Sequence, residues 1–156
     1  MPIYGLEIKA TLENIQKLYA PINMFWRIRF KCLSCSELGK NQLEFSALDE
    51  CKAGKAKFNV ASRCQFCGRL RSLDIVQKSE NPYVFEDSGS FKMIIQFDCR
   101  GMEPVEYTPG DGWVAEAADS GEVFNNIDLM EKEWVEYDSN LQRPVGIYGL
   151  EYKFTK

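Results

Sequence analysis

The sequence contains no histidine. That absence excludes Ser-His-Asp and Cys-His catalysis and every two-histidine metal site, so a metal ion here has only sulfur or carboxylate to hold it. Long apolar runs are also missing, and nothing reaches the roughly eighteen residues a membrane-spanning helix needs. The opening Met1-Pro2-Ile3-Tyr4-Gly5-Leu6-Glu7 lacks the basic flank and apolar stretch of a secretory signal. The closing Phe154-Thr155-Lys156 carries no lipidation motif. A cytoplasmic protein is expected, or a nuclear one, in a reducing compartment where paired cysteines hold metal more often than they form disulfides. Excess positive charge is lacking as well. The balance of 19 Lys and Arg against 23 Asp and Glu gives a net charge of −4, which disfavours nucleic acid as the partner.

What is present is 156 residues, 45% hydrophobic and 13% aromatic, the size and composition of one globular domain over residues 1–156. The apolar pattern has period two. Tyr4, Leu6, Ile8, Ala10 and Leu12 share one face of an extended strand, as do Trp26, Ile28, Phe30 and Cys32. The same holds for Phe58, Val60 and Ser62 running into Cys64, for Leu73 and Ile75, for Met93, Ile95, Phe97 and Cys99, and for Tyr148, Leu150, Tyr152 and Phe154. Asn81-Pro82, Asp87-Ser88-Gly89, Pro109-Gly110-Asp111-Gly112 and Asp119-Ser120-Gly121 supply turns between them. One short stretch, Glu13 to Tyr19, reads as helical, with Ile15 and Leu18 spaced by three before Pro21. The expected fold is all-β, an antiparallel sandwich or a pair of small sheets.

Two self-similarities point to halves of about 1–80 and 81–156 related by a pseudo-twofold axis. Ile3-Tyr4-Gly5-Leu6-Glu7-Ile8-Lys9-Ala10-Thr11 resembles Ile147-Tyr148-Gly149-Leu150-Glu151-Tyr152-Lys153-Phe154-Thr155, and terminal strands could pair across such an axis. Trp26 to Cys32 resembles Met93 to Cys99 more loosely. In that alignment Met102 stands where Cys35 does, so the second half has no metal site.

Cys32-Leu33-Ser34-Cys35 and Cys64-Gln65-Phe66-Cys67-Gly68 are two C-x-x-C pairs. Two residues between thiolates let a tight turn aim both sulfurs at one point, and two such turns complete the tetrahedral S₄ shell that Zn²⁺ accepts. Each pair follows an alternating strand, the arrangement of a zinc ribbon. Backbone N–H groups, with Lys31, Arg63 and Arg69 nearby, would offset the charge of the thiolates. The gap between the pairs exceeds the usual ~15–20 residues, and a hairpin insertion through residues 36–62 would fill it. Thioredoxin-like chemistry needs a C-x-x-C opening a helix, which neither pair does. A rubredoxin-type iron site would use the same ligands. Cys51 and Cys99 fall outside any pair and read as small core residues. One Zn²⁺ per chain on Cys32, Cys35, Cys64 and Cys67 leaves no open coordination position, which makes the site structural. Its binding would contribute on the order of 10–16 kcal/mol, enough to decide whether the first half folds.

Charge is uneven. Lys52, Lys55, Lys57, Arg63, Arg69 and Arg71 occupy Cys51 to Arg71 without one acid, whereas Asp98 to Asp138 holds twelve acids against Arg100 and Lys132. The basic segment balances the thiolates and the acidic half, with Glu131 and Glu133 on a solvated face. In the dense stretch Phe97-Asp98-Cys99-Arg100-Gly101-Met102-Glu103-Pro104 an Arg100–Glu103 ion pair would hold a turn, with Trp113 plugging the core behind it.

Ala10-Thr11-Leu12-Glu13-Asn14-Ile15 resembles the opening of the eukaryotic CXXC-motif-containing zinc-binding protein family. So do Lys31-Cys32-Leu33-Ser34-Cys35, Cys64-Gln65-Phe66-Cys67, Phe97-Asp98-Cys99-Arg100-Gly101-Met102-Glu103-Pro104 and Val145-Gly146-Ile147-Tyr148. The resemblance runs nearly end to end. It implies an all-β protein of two related sheet halves, with one zinc on Cys32, Cys35, Cys64 and Cys67, and it brings no reaction with it.

The function expected is that of a non-enzymatic, monomeric zinc protein acting through protein partners, in metal or redox homeostasis or as an adaptor. The alternatives are a nucleic-acid-binding zinc ribbon using the basic segment 52–71, and a thiol-redox or metal-transfer protein.

Overall fold

The computed structural model describes residues 2–156. The chain forms β1 (Ile3–Glu13), β2 (Ile15–Tyr19), β3 (Trp26–Cys32), β4 (Leu43–Phe45), β5 (Cys51–Ala53), β6 (Ala56–Phe58), β7 (Val60–Arg63) and β8 (Leu70–Ile75). It continues through β9 (Tyr83–Val84), β10 (Lys92–Arg100), β11 (Met102–Tyr107), β12 (Trp113–Ala117), β13 (Val123–Ile127), β14 (Trp134–Asp138) and β15 (Arg143–Thr155). The described residues include one 3₁₀ turn, Phe85–Asp87. None of them forms a helix long and apolar enough to cross a membrane. All the pairings are antiparallel, and the fold is all-β as expected.

Three sheets share one core. The largest runs β14-β15-β1-β10-β8-β7, a second β13-β12-β2-β9 and a third β11-β3-β4, with β5-β6 as a separate hairpin. Alternation places Tyr4, Leu6, Ile8, Ala10 and Leu12 of β1 in the interior, and Trp26, Ile28, Phe30 and Cys32 of β3 likewise. Trp26 lies where the three sheets meet. It touches Phe97 of the large sheet, Tyr107 of its own sheet and Trp113 of the second, with ring centroids 6.0–6.1 Å apart. Trp113 plugs the core, as its place in the sequence suggests.

The segment expected to be helical is strand β2. Asn14, at φ 54°, ends β1, and β2 then pairs with β12. Opposite Glu116 and Ala117 the register skips Gln16. That bulge returns Leu18 to the face of Ile15, so two buried residues three apart imitate a helical period. A second break falls at Asn59, between β6 and β7. Its side chain accepts from Ile75 N–H (2.8 Å) and donates to the Asp49 carbonyl (2.9 Å), which turns the expected single strand through Phe58 and Val60 into two. Arg100 does not pair with Glu103. Its guanidinium sits 5.3 Å from the ring centre of Phe58, while Glu103 accepts from the Tyr4 hydroxyl.

The two similar terminal strands, β1 and β15, do pair. Glu7 faces Lys153, Ile8 faces Tyr152 and Lys9 faces Glu151. In the sequence match Ile8 corresponds to Tyr152, Glu7 to Glu151 and Lys9 to Lys153. The register is therefore the one a local twofold through Ile8 and Tyr152 requires, and it holds until a bulge between Lys9 and Thr11. The looser match separates, since β3 and β10 lie in different sheets. Strands from before and after residue 80 also mix in all three larger sheets, so neither half builds one of these sheets alone.

Candidate metal centre

The four paired cysteines converge. Their Sγ atoms all lie within 4.8 Å of one another. Cys32 Sγ is 3.8 Å from Cys67 Sγ, and Cys35 Sγ is 3.7 Å from Cys64 Sγ. A tetrahedron with metal–sulfur bonds of ~2.3 Å has edges of about 3.8 Å, which these two separations match, so the cluster has the size that holds one zinc ion. All four are free thiols, too far apart for disulfides.

The two turns that present them are copies of one device. In the first, Cys32 N–H donates to the Glu37 carbonyl and Ser36 N–H to the Cys32 carbonyl, both at 2.9 Å. In the second, Cys64 N–H donates to the Arg69 carbonyl (2.9 Å) and Gly68 N–H to the Cys64 carbonyl (2.8 Å). The residue after the second cysteine of each pair is left-handed, Ser36 at φ 66° and Gly68 at φ 76°. Glycine fills that conformation without strain, whereas serine pays roughly 1 kcal/mol. The left-handed residue folds the chain back so that backbone N–H groups face the sulfurs, and Phe66 N–H reaches Cys64 Sγ at 3.4 Å.

The surrounding elements hold the turns together. The first follows β3, and its Leu33 N–H donates to the carbonyl of Gly101 (3.0 Å), which sits at φ 80° between β10 and β11. Met102 stands opposite Cys32 in the β11–β3 register. The stretch Cys99-Arg100-Gly101-Met102, conspicuous in the sequence, is thus a brace for the first cysteine turn, a role that its composition alone does not reveal. The second turn joins β7 to β8 at the sheet edge. The hairpin expected between the pairs is present as β5–β6, preceded by β4. Cys99 is buried and Cys51 half-buried, and neither joins the cluster. Arg63, expected to offset the thiolates, donates to the Gly68 carbonyl of the second cysteine turn at 3.1 Å.

Protonation in the metal-free quartet is uneven. N–H groups of Cys35 and Ser34 draw the Cys32 thiol down to about 6, despite its burial. Those of Cys67 and Phe66 lower Cys64. For Cys35 the Glu37 N–H favours the thiolate, but burial and the neighbouring thiols outweigh it and push the group up to about 12. Metal entry near neutral pH must therefore displace at least the Cys35 proton. Apparent zinc affinity is expected to rise with pH, roughly tenfold per unit for each proton displaced. It should fall more steeply below about pH 6, where Cys32 also protonates. Competition against a chromophoric chelator across that range measures the slope, and a flat profile would contradict the thiol ligand set.

The chain is similar to known proteins over nearly its whole length. The eukaryotic family model described as "CXXC motif containing zinc binding protein" matches residues 5–155. The protein of that description from Xenopus laevis is 38% identical over 156 residues, covering 98% of each chain. The one from Homo sapiens is 38% identical over 155 residues, covering 97% of each. The crystal structure of C1orf123 superposes with a TM-score of 0.93 at 36% identity, covering 99% of both chains. A hypothetical protein from Plasmodium falciparum reaches 0.91 at 22% identity, which speaks to the fold alone. With four cysteines positioned to bind one metal ion and a matching family model over nearly its whole length, this chain belongs to the eukaryotic CXXC motif containing zinc binding protein family.

Proposed function

We propose that this zinc-binding protein is non-catalytic and acts through a protein partner, with the four-cysteine centre fixing the surface that the partner meets. The observation that carries this reading is the complete sulfur shell. When bound by Cys32, Cys35, Cys64 and Cys67, zinc supplies a cross-link and offers no position to substrate or water. The absence of histidine removes the commonest general base from the chain.

The turns also expose apolar side chains. Leu33 and Phe66, each inside a C-x-x-C pair, and Leu70 just beyond are 46–49% exposed. Lys40 lies over the Phe66 ring at 5.7 Å, and Arg63 and Arg69 flank the same turn. An apolar patch rimmed by cations suits a partner with acidic residues around an apolar centre. The expected compartment is the cytoplasm, where thiol ligands stay reduced.

Affinity capture from cytosol with the zinc-loaded chain should recover a defined partner. Cys64→Ser should lose it, and so should Leu33→Ser/Phe66→Ser, which leaves the metal in place. Recovery of chaperones alone, or equal recovery by all three proteins, would contradict the proposal.

A further inference from the structure

The large sheet ends at β14, on the edge opposite β7 and the metal turns. Three observations fix which way its backbone faces. Tyr137 stands opposite Pro144, which has no N–H to offer. The Pro144 carbonyl accepts from Asn14 Nδ2 at 2.8 Å, on the side of β1 and away from β14. Tyr137 N–H turns back to its neighbour's carboxylate, Glu136 Oε1, at 3.1 Å. Tyr137, and Val135 two residues before it, therefore direct their N–H and C=O groups off the sheet. No backbone group answers them among the described residues.

An open edge of this kind is normally blunted, and the other edges of the three larger sheets are. Strands β4 and β9 have three and two residues. Strand β11 carries Pro104 and a register break, and β13 a break with Asn126 at φ 54°. Strand β7 is backed by the β5–β6 hairpin, whose Cys51 Sγ reaches the Ala61 carbonyl at 3.9 Å. By contrast, β14 is five residues in unbroken register, without proline, lysine or cover. Its Val135 and Tyr137 are 58% and 53% exposed on one face. The charge at its centre is Glu136, exposed between them on the other face.

The surrounding charge says which partner fits. Glu131 and Glu133 lead into the strand, and neither they nor Glu136 forms an ion pair among the described residues. Lys132 is the one base between Glu122 and Asp138. Pairing β14 with a copy of itself so that Val135 meets Tyr137 sets Glu136 on Glu136, a like-charge opposition that destabilises a ladder. We propose that β14 is a docking edge for an extended segment of a partner protein in which basic and apolar residues alternate. The segment extends the six-stranded sheet by one strand. Its apolar side chains lie beside Val135 and Tyr137, and its lysines or arginines beside Glu136. The incoming cation draws the Glu136 carboxylate off Tyr137 N–H, and a carbonyl of the segment takes its place. This edge is independent of the zinc centre and of the partner surface proposed above.

A capped seven-residue peptide alternating lysine and valine is the probe, titrated into the zinc-loaded full chain. Saturable one-to-one binding is expected, with hydrogen exchange slowed at the Val135 and Tyr137 amides and unchanged in the cysteine turns. Val135→Lys/Tyr137→Lys and Glu136→Lys should each weaken binding at least tenfold. All three positions are exposed, so both variants should melt within a few degrees of the parent. Leu33→Ser/Phe66→Ser should bind the peptide as the parent does. A peptide of glutamate and valine, or one with proline for each valine, should not bind. Equal binding of the proline peptide would overturn the proposal, since charge attraction alone would then explain it. So would undiminished binding by both edge variants, or no saturable binding to the parent at millimolar concentration. A parent dimer that Val135→Lys/Tyr137→Lys dissociates would also overturn it, by placing a second copy on the edge.

Discussion

Replacing Cys64 with serine is expected to strip the chain of its metal and unlatch the β7–β8 edge while leaving the aromatic core folded. The sulfur cluster ties the end of β3 to the turn between β7 and β8, two elements in different sheets. Structural zinc contributes on the order of 10–16 kcal/mol of apparent binding energy, against a typical net domain stability of roughly 5–15 kcal/mol. If every element depended on the clip, the variant would not fold. The topology argues otherwise. Strand β8 is also stitched to β10, with Leu73 and Ile75 buried, and β1 lies between β10 and β15 without touching the metal turns. Strand β7 pairs with β8 alone, and the β5–β6 hairpin is a sheet of its own. Hydrogen exchange should therefore rise by about a thousandfold or more at Val60–Arg63 and in both cysteine turns, with far smaller changes along β1 and β15. The melting midpoint should fall by about 10 °C or more, at roughly 2–4 °C per kcal/mol for a chain of this size. Uniform loss of protection would mean that the zinc nucleates the whole fold rather than latching one edge.

Trp26→Ala is expected to be the most damaging change outside the metal centre. Its side chain is 3% exposed and sits at the junction of three sheets. It stands edge-on to Phe97 and Trp113 and is tilted against Tyr107. Removing such a side chain costs about 3–5 kcal/mol in all, and the loss of three aromatic pairs places this site at the upper end of that range. That is as large as the whole stability of a domain at the lower end of the usual range, about 5 kcal/mol. The variant should be at best partly folded at 37 °C and should lose the near-ultraviolet signal of Trp113. Trp26→Phe should recover about half of the loss. A midpoint lowered by only a few degrees would show that the sheets do not depend on this contact.

The two C-x-x-C pairs were fully legible in the chain, because a metal needs several ligands at short range and that spacing has few other uses. Alternation located the longest strands, β1, β10 and β15, and β3 and β8 with them, for a similar reason: one face of each is buried, and a slip of one residue would expose it. What the pattern hid has local physical causes. The Gln16 bulge gave β2 the spacing of a helix. Asn59 interrupted an apolar alternation by donating and accepting hydrogen bonds across β8. Ser36 takes the left-handed position that Gly68 advertises openly in the second turn. Arg100 found the Phe58 ring rather than the nearby Glu103, because Glu103 turns toward Tyr4 on β1. The repeated terminal segments were visible, but which strands lie between them depends on pairings across the whole chain.

Four thiolates are positioned to share one zinc ion and to complete its coordination. X-ray absorption at the zinc edge of the purified chain, with metal content measured on the same sample, tests this most directly. The expected result is one zinc per chain surrounded by four sulfur atoms at ~2.3 Å and no lighter neighbour. A shell with an oxygen or nitrogen ligand, or with fewer than four sulfurs, would contradict the claim, because it would leave the metal open to substrate.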